Sequence, residues 1–67
     1  MLELSINGET RHFDAPLALA QLLDRMELAG KKLAVEMNGE IVPRSRHGET
    51  ALNQGDKLEI VVAVGGG

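Results

Sequence analysis

The side chains that could perform acid–base, nucleophilic or metal chemistry are few in this sequence and are not spaced for it. His12 and His47 lack the Glu-x-x-His or His-x-x-x-His spacing of a metal site. Ser5 and Ser45 lack the Gly-x-Ser-x-Gly context in which a serine becomes a nucleophile. The acidic residues are spread along the chain, so no matched pair of carboxylates is indicated. We therefore expect both histidines to be solvated, and we expect neither a metal site nor catalytic activity.

The chemical group that remains is the carboxylate at the end of the sequence, which follows three glycines. Gly65, Gly66 and Gly67 come directly after a hydrophobic segment, with no polar residue between. Because glycines have no Cβ atom, they adopt backbone conformations closed to other residues and fit a narrow slot. Three extended residues reach about 10 Å. The pattern predicts a flexible tail, residues 65–67, that threads into the active site of a partner; a tail without function is the alternative.

Group transfer from this carboxylate would require activation. An α-carboxyl group is ionised at neutral pH and is therefore a poor electrophile. Adenylation by ATP is the obvious activation, because the acyl-adenylate then reacts with a sulfur nucleophile or with an amine. The product at Gly67 would be a thiocarboxylate in the first case and an amide in the second. Either reaction places the end of the chain inside another protein.

The composition excludes several classes of protein. The chain has 67 residues, no cysteine and one aromatic residue, Phe13, so it forms no disulfide and no thiolate zinc site. A formal net charge of −3 without stacking aromatics is unlike a nucleic-acid-binding protein. No apolar run approaches the ~20 residues that span a bilayer, and no secretory signal is visible. We expect a cytoplasmic domain that binds neither nucleic acid nor membrane.

Alternating apolar and polar residues predict a β-hairpin at the start of the chain. Residues 2–6 alternate with the period of a half-buried strand. The Asn-Gly pair at positions 7 and 8 best tolerates the positive φ angles of a type I′ turn. A two-residue turn places Leu4 opposite Arg11 in the returning strand, residues 9–13. A charged residue opposite a core leucine favours an edge position for this second strand.

One helix and further strands follow. An acid at Asp14 and an early proline predict a helix start, and leucines at spacings of three and four predict about three turns. Gly30 is placed to end this helix in a left-handed conformation. Residues 33–37 alternate again and are followed by a second Asn-Gly pair and a short strand. After an irregular polar stretch, residues 44–52, a last strand runs from Leu58 to Val64.

This order of elements predicts an α+β domain. One helix cannot cover both faces of a sheet, so a two-layer arrangement is expected. A hairpin, a helix and a later strand form the ββαβ core of the β-grasp fold. We predict that residues 1–64 form this domain, with a mixed sheet of four to five strands and the helix on one face. Val61 and Ala63 lie opposite the core residues of the last strand, which makes them candidates for a partner face or ordinary exposed aliphatics.

The sequence resembles the ThiS family, the sulfur carrier proteins of thiamine biosynthesis. The matching residues are the stretch Val-Glu-Met-Asn-Gly-Glu-Ile-Val-Pro-Arg at 35–44, Gly55-Asp56 before the last strand, and the terminal Gly66-Gly67. The resemblance covers the whole chain. It implies a ubiquitin-like, β-grasp protein that is acted on by partner enzymes and is not an enzyme itself.

The resemblance also implies the partners. An activating enzyme similar to ubiquitin-activating enzymes would adenylate Gly67, and a sulfur-relay enzyme would supply the sulfur. Thiazole synthase would then take the sulfur from the thiocarboxylate, with Gly65 and Gly66 threading its active site. The chain itself would bind no cofactor, since ATP is consumed by the activating partner. Arg44 would either contact a partner or tie down the loop after Pro43.

Three other interpretations share the fold and the tail. The first is the small subunit of molybdopterin synthase, which carries sulfur in the same way and is usually longer. The second is a protein modifier that ends in an isopeptide bond to lysine. The third is an interaction module whose glycine tail has no role.

Overall fold

A computed structural model describes residues 1–14 and 16–63 of the chain. These residues form a five-stranded sheet with strand order β2-β1-β5-β3-β4. The β1/β5 pair at the centre is parallel and the other pairs are antiparallel, so the sheet is mixed, as predicted. The elements are β1 (Leu2–Ile6), β2 (Glu9–Phe13), α1 (Leu19–Arg25), β3 (Leu33–Met37), β4 (Glu40–Ile41), a 3-10 helix (Arg44–Arg46) and β5 (Lys57–Val62).

Both Asn-Gly pairs form the predicted hairpin turns. The φ angle is 51° at Asn7 and 52° at Asn38, and the glycines that follow have φ angles of 83° and 88°. Positive φ at both central residues is the requirement of a type I′ turn. The register of the first hairpin pairs Leu4 with Arg11, as predicted, and β2 lies at the edge of the sheet.

The two turn asparagines also fasten their hairpins to β5. Asn7 accepts a hydrogen bond at Oδ1 from the Ile60 N–H (2.7 Å) and donates from Nδ2 to the Ile60 carbonyl (3.1 Å). Asn38 accepts from the Lys57 N–H (3.0 Å) and donates to Asp56 Oδ1 (3.0 Å). The side chains of Asn7 and Asn38 therefore hold the last strand from both sides. The sequence indicated only their role in the turns.

The core is aliphatic and lies between α1 and one face of the sheet. The helix buries leucines at the predicted spacing, and β1, β3 and β5 bury alternate residues. The buried apolar residues are Leu4, Ile6, Leu17, Leu19, Leu22, Leu23, Val35, Leu52, Leu58 and Ile60. Within residues 1–14 and 16–63, no helix is both long and apolar enough to cross a membrane.

The helix is shorter than predicted and begins later. Its first residue is Leu19, so Pro16 lies before the helix. The helix has seven residues, fewer than the three turns that were expected. The reason is a non-local pairing: the Leu17 carbonyl accepts a hydrogen bond from the Leu52 N–H (2.9 Å), which keeps this segment extended. Gln21 Oε1 accepts from the Ala18 N–H (2.8 Å) and so supplies the cap expected from the acid at position 14.

The helix also ends before Gly30. Glu27 has a φ of 61° and occupies the left-handed position. The Leu28 N–H donates to the Leu23 carbonyl (2.8 Å) and the Glu27 N–H donates to the Asp24 carbonyl (3.0 Å). These two bonds define a Schellman motif, in which glycine is the usual left-handed residue. Gly30, with a φ of 83°, lies in the turn that follows.

Replacing the left-handed glutamate by glycine is expected to stabilise the fold. Left-handed backbone costs a residue with a Cβ about 1–2 kcal/mol, and the greater freedom of unfolded glycine offsets roughly 0.5–1 kcal/mol of the gain. Urea unfolding of Glu27→Gly should therefore show a free energy of unfolding raised by about 0.5–1 kcal/mol. Asp24→Gly, inside the helix, is the control and should lose about 0.3 kcal/mol, the difference in helix propensity between aspartate and glycine. A less stable Glu27→Gly would contradict the assignment.

The prediction that both histidines are solvated is wrong for His47. This residue is 7% exposed, and its Nε2 donates a hydrogen bond to the Val42 carbonyl at 3.1 Å. Its own carbonyl accepts from the Ala20 N–H (3.0 Å), which joins the polar stretch to the helix. His12 is exposed as predicted, and its Nε2 lies 3.1 Å from Glu3 Oε1. That half-exposed pair contributes little to stability.

Candidate functional site

The strand β5 leads out of the sheet toward the glycine tail. The Ala63 N–H donates to the Lys32 carbonyl at 2.9 Å, one residue beyond the end of β5 and one before the start of β3. The chain therefore leaves the sheet beside the loop that connects α1 to β3. The predicted site residues Gly65, Gly66 and Gly67, like Val64 and Ala15, lie outside the described residues.

The two apolar candidates for a partner face are on the open side of the sheet. Val61 is 66% exposed and pairs with Ala34 of β3, which is also exposed. Ala63 is exposed as well. The neighbouring Ile60 is buried beneath the helix layer, so the alternation along β5 has the predicted phase. Contact of Val61 and Ala63 with a partner stays a prediction.

The same open face carries a pair of like charges. Glu59 of β5 lies directly opposite Glu36 of β3. Like charges in this relation destabilise a sheet by a few tenths to about 1 kcal/mol. Within residues 1–14 and 16–63, the one ion pair is that between Glu3 and His12. No cation in this part of the chain therefore neutralises Glu36 or Glu59. The open face is thus acidic beside an exposed valine.

The third candidate, Arg44, is not on this face. It is exposed at the start of the 3-10 helix and lines a cavity on the helix side of the sheet. In the described part of the chain its side chain makes no hydrogen bond. The loop after Pro43 is held instead by its backbone, through the bond from the Arg46 N–H to the Pro43 carbonyl (2.9 Å), and by buried His47. The structure therefore separates Arg44 from Val61 and Ala63.

Buried polar side chains in the described part of the chain are satisfied within the fold. Among the described residues, no group of three or more His, Cys, Asp or Glu side chains is arranged to hold a metal ion. Their buried side-chain polar atoms are all hydrogen-bonded, including both oxygens of Asp56, which accept from Asn38 Nδ2 and from the Asn53 N–H (2.8 Å). Such groups fix the start of β5, and with it the direction in which the chain leaves the sheet.

The mixed sheet, the single helix and the strand that leads to the tail define a ubiquitin-like protein of the β-grasp class. A sequence model of the ThiS family matches residues 4–67, which is nearly the whole chain and includes the three glycines. The chain belongs to the ThiS family. The resemblance in the sequence and the predicted fold are both confirmed.

Known proteins of three kinds resemble the chain. The crystal structure of the thiamine biosynthesis protein ThiS from Geobacter metallireducens superposes with a TM-score of 0.83 at 30% identity, covering 98% of this chain and 100% of that one. A protein of Paramagnetospirillum magneticum named thiazole synthase is 48% identical over 66 residues, covering 98% of this chain. The uncharacterized protein ycf40 of Pyropia yezoensis is 36% identical over 66 residues, 98% of this chain and 93% of its own length.

The match to thiazole synthase covers only part of that longer protein. The chain spans 20% of the length of the Paramagnetospirillum protein, and the same share of a second thiazole synthase, from Magnetococcus marinus. Each of these proteins therefore contains a ThiS-like segment within a chain about five times as long.

Proposed function

We propose that the chain is a sulfur carrier of thiamine biosynthesis and that it carries sulfur as a thiocarboxylate on Gly67. The observation that carries this proposal is the match to the ThiS family over residues 4–67, which extends through the glycines to the last residue. The chemistry agrees with it, because a carboxylate needs activation before it transfers anything, and the described residues include no cluster of His, Cys, Asp or Glu that would hold a metal ion. We infer that the chain is a cosubstrate and not an enzyme.

The proposed reaction begins at the terminal carboxylate. An adenylating enzyme joins a carboxylate oxygen to the α-phosphorus of ATP, and pyrophosphate leaves. The terminal sulfur of a cysteine persulfide on a sulfur-relay enzyme then attacks the acyl carbon, and AMP leaves. A second thiol cleaves the sulfur–sulfur bond by forming a disulfide with that cysteine, which releases the thiocarboxylate. ATP is used by the partner, and the carrier needs no bound cofactor.

Thiazole synthase is the proposed acceptor of the sulfur. Support comes from the Paramagnetospirillum protein of that name, which includes a segment 48% identical to this chain within its own length. A carrier and a synthase in one polypeptide imply that the two act on one another. We place this exchange in the cytoplasm, without nucleic acid or membrane as partners, and we assign the threading of the synthase to Gly65 and Gly66.

Intact mass is the direct test of the proposal. Protein isolated from thiamine-starved cells is expected to include a species heavier by the difference between one sulfur and one oxygen. Fragmentation should place that difference on Gly67. Conjugates to lysine would instead indicate a protein modifier. A thiocarboxylate on a protein that copurifies with a molybdopterin synthase large subunit would place the carrier in that pathway.

A charge on the open sheet face is expected to weaken activation. In Val61→Asp the new carboxylate would be buried unpaired against an apolar partner surface, which costs several kcal/mol. The KM of the adenylating enzyme for the carrier should rise at least about tenfold. Because Val61 is 66% exposed, the free energy of unfolding should change by less than about 1 kcal/mol. Pyrophosphate exchange and urea unfolding measure the two quantities.

The matched control for this substitution is Thr10→Asp on the edge strand β2. Thr10 is exposed and pairs with Ser5, so its replacement by aspartate adds the same charge to the sheet but far from the tail. It should leave the KM unchanged. Equal effects of both substitutions would show that net charge matters and that Val61 is not a contact.

A further inference from the structure

A cavity on the helix side of the sheet has no role in the proposal so far. Its volume is about 240 Å³, and its apolar walls come from α1, from the loop after it and from β3. The main apolar side chains are Leu23, Leu28 and Leu33. This volume is below the roughly 300–1,000 Å³ of pockets that hold small molecules. It suits a single side chain of another protein.

Two cations line the same cavity. Lys31 and Arg44 are both exposed, and no acidic residue lines the cavity with them. Within the described ranges the one ion pair, Glu3 with His12, is elsewhere, so no carboxylate there neutralises either cation. His47 also contributes to the lining, and its Nε2–H is already donated to the Val42 carbonyl. A chain with a net charge of −3 thus has a local positive site beside an apolar cavity.

The cavity adjoins the point at which the tail leaves the domain. Lys31 precedes Lys32, whose carbonyl accepts the hydrogen bond from the Ala63 N–H. Leu33, in the cavity wall, pairs with Val62 at the end of β5. A protein that takes the tail into its active site therefore comes close to this cavity.

We propose that this cavity docks an acidic segment of the enzyme that adenylates the tail. An aliphatic side chain of that segment enters the cavity, and a neighbouring carboxylate binds between Lys31 and Arg44. The inference rests on the proposed function, because it names a contact of the activating partner. It assigns Arg44 a partner role on the helix side, separate from the contact proposed for Val61.

Charge reversal at the cavity tests the electrostatic part. The substrate is the full chain, and the enzyme is the adenylating enzyme of the same organism, assayed by pyrophosphate exchange. Lys31→Glu and Arg44→Glu should each raise the KM for the carrier about tenfold, or about 1.4 kcal/mol, with kcat unchanged because the tail is intact. Lys31→Gln should have an intermediate effect. The salt dependence of the KM should weaken in each variant.

The matched control is Arg11→Glu, which makes the same charge change on the exposed edge strand β2. It should leave the KM near that of the unaltered chain. If Lys31→Glu and Arg44→Glu raise the KM no more than Arg11→Glu does, the cavity is not the docking site, although the proposed function stands. If the unaltered chain is not adenylated at all, the proposed function fails and this inference fails with it.

Filling the cavity tests the apolar part without changing charge. Ala29 is exposed and lines the cavity, so Ala29→Phe should occupy the space and leave the fold intact, as checked by urea unfolding. We expect a KM raised about tenfold at unchanged kcat. Hexanoate, an aliphatic carboxylate, serves as a small-ligand probe in NMR titration. Shifts at Lys31 and Arg44 with hexanoate, together with an unaltered KM in Ala29→Phe, would assign the cavity to small amphipathic anions and overturn the proposal.

Discussion

Deleting Gly66 and Gly67 is expected to abolish sulfur transfer while the domain stays folded. The deletion withdraws the terminal carboxylate by about 7 Å, at 3.3–3.6 Å per extended residue. Reacting atoms need a separation of about 3–3.5 Å, and misplacement by 1 Å already costs about a hundredfold in rate. A carrier-deficient strain that expresses the deletion variant should therefore fail to grow without thiamine. The core residues of the described part all precede position 61, so urea unfolding should be unchanged.

Substitutions of increasing size at Gly66 separate the effect of a shorter tail from the effect of a bulkier one. Gly66→Ala adds one methyl group to the tail and Gly66→Val adds a branched side chain, so the rate of thiocarboxylate formation should fall in that order. Ser5→Thr is the matched control, because it also adds one methyl group, at a residue that pairs with Lys57 at the start of β5 and away from the tail. Growth of the deletion strain without thiamine would show that the tail is not the site.

The predictable part of this fold is the part fixed by neighbours in sequence. An Asn-Gly pair selects a type I′ turn, and a two-residue turn sets the register, so the pairing of Leu4 with Arg11 follows from positions 4–11 alone. The phase of β5, with Ile60 buried and Val61 exposed, follows in the same way from alternation.

The errors arise where a distant residue overrides a local signal. Asp14 followed by an early proline is a sound helix start, yet Leu17 bonds with Leu52 and stays extended. Glycine, and not glutamate, is the usual residue in left-handed backbone at a helix end, so the sequence did not indicate that the helix ends at Glu27. His47 is buried because one carbonyl, that of Val42, satisfies its ring N–H, and that pairing exists only in the folded chain.

The same distinction between local signals and distant contacts applies to the candidate site. The chemistry proposed for the glycines at 65–67 comes from the sequence and stays a prediction, because these residues lie outside the described ones. The cation pair of Lys31 and Arg44 could not be predicted, because these residues are thirteen positions apart and meet only where the α1–β3 loop packs beside the 3-10 helix.

Leu58→Ala is expected to remove a large part of the stability of the domain. Leu58 has no exposed surface and lies near the start of β5, paired with Ile6 on one side and Met37 on the other. Truncating a buried leucine to alanine costs about 3–5 kcal/mol. At 0.05–0.15 kcal/mol per residue, a 67-residue domain has a stability of about 3–10 kcal/mol. The void left behind therefore removes between about a third and all of the stability, and circular dichroism in urea measures the loss.

The control and the rescue both use changes elsewhere in the domain. Lys57→Ala, on the exposed side of the same strand, should cost less than about 0.5 kcal/mol. Adding Glu27→Gly to Leu58→Ala should return its gain additively, since distant sites add within about 0.5 kcal/mol. Because β5 leads directly to the tail, growth without thiamine should follow the folded fraction of each variant. Full growth with an unfolded Leu58→Ala chain would show that partners need the tail alone and not the domain that carries it.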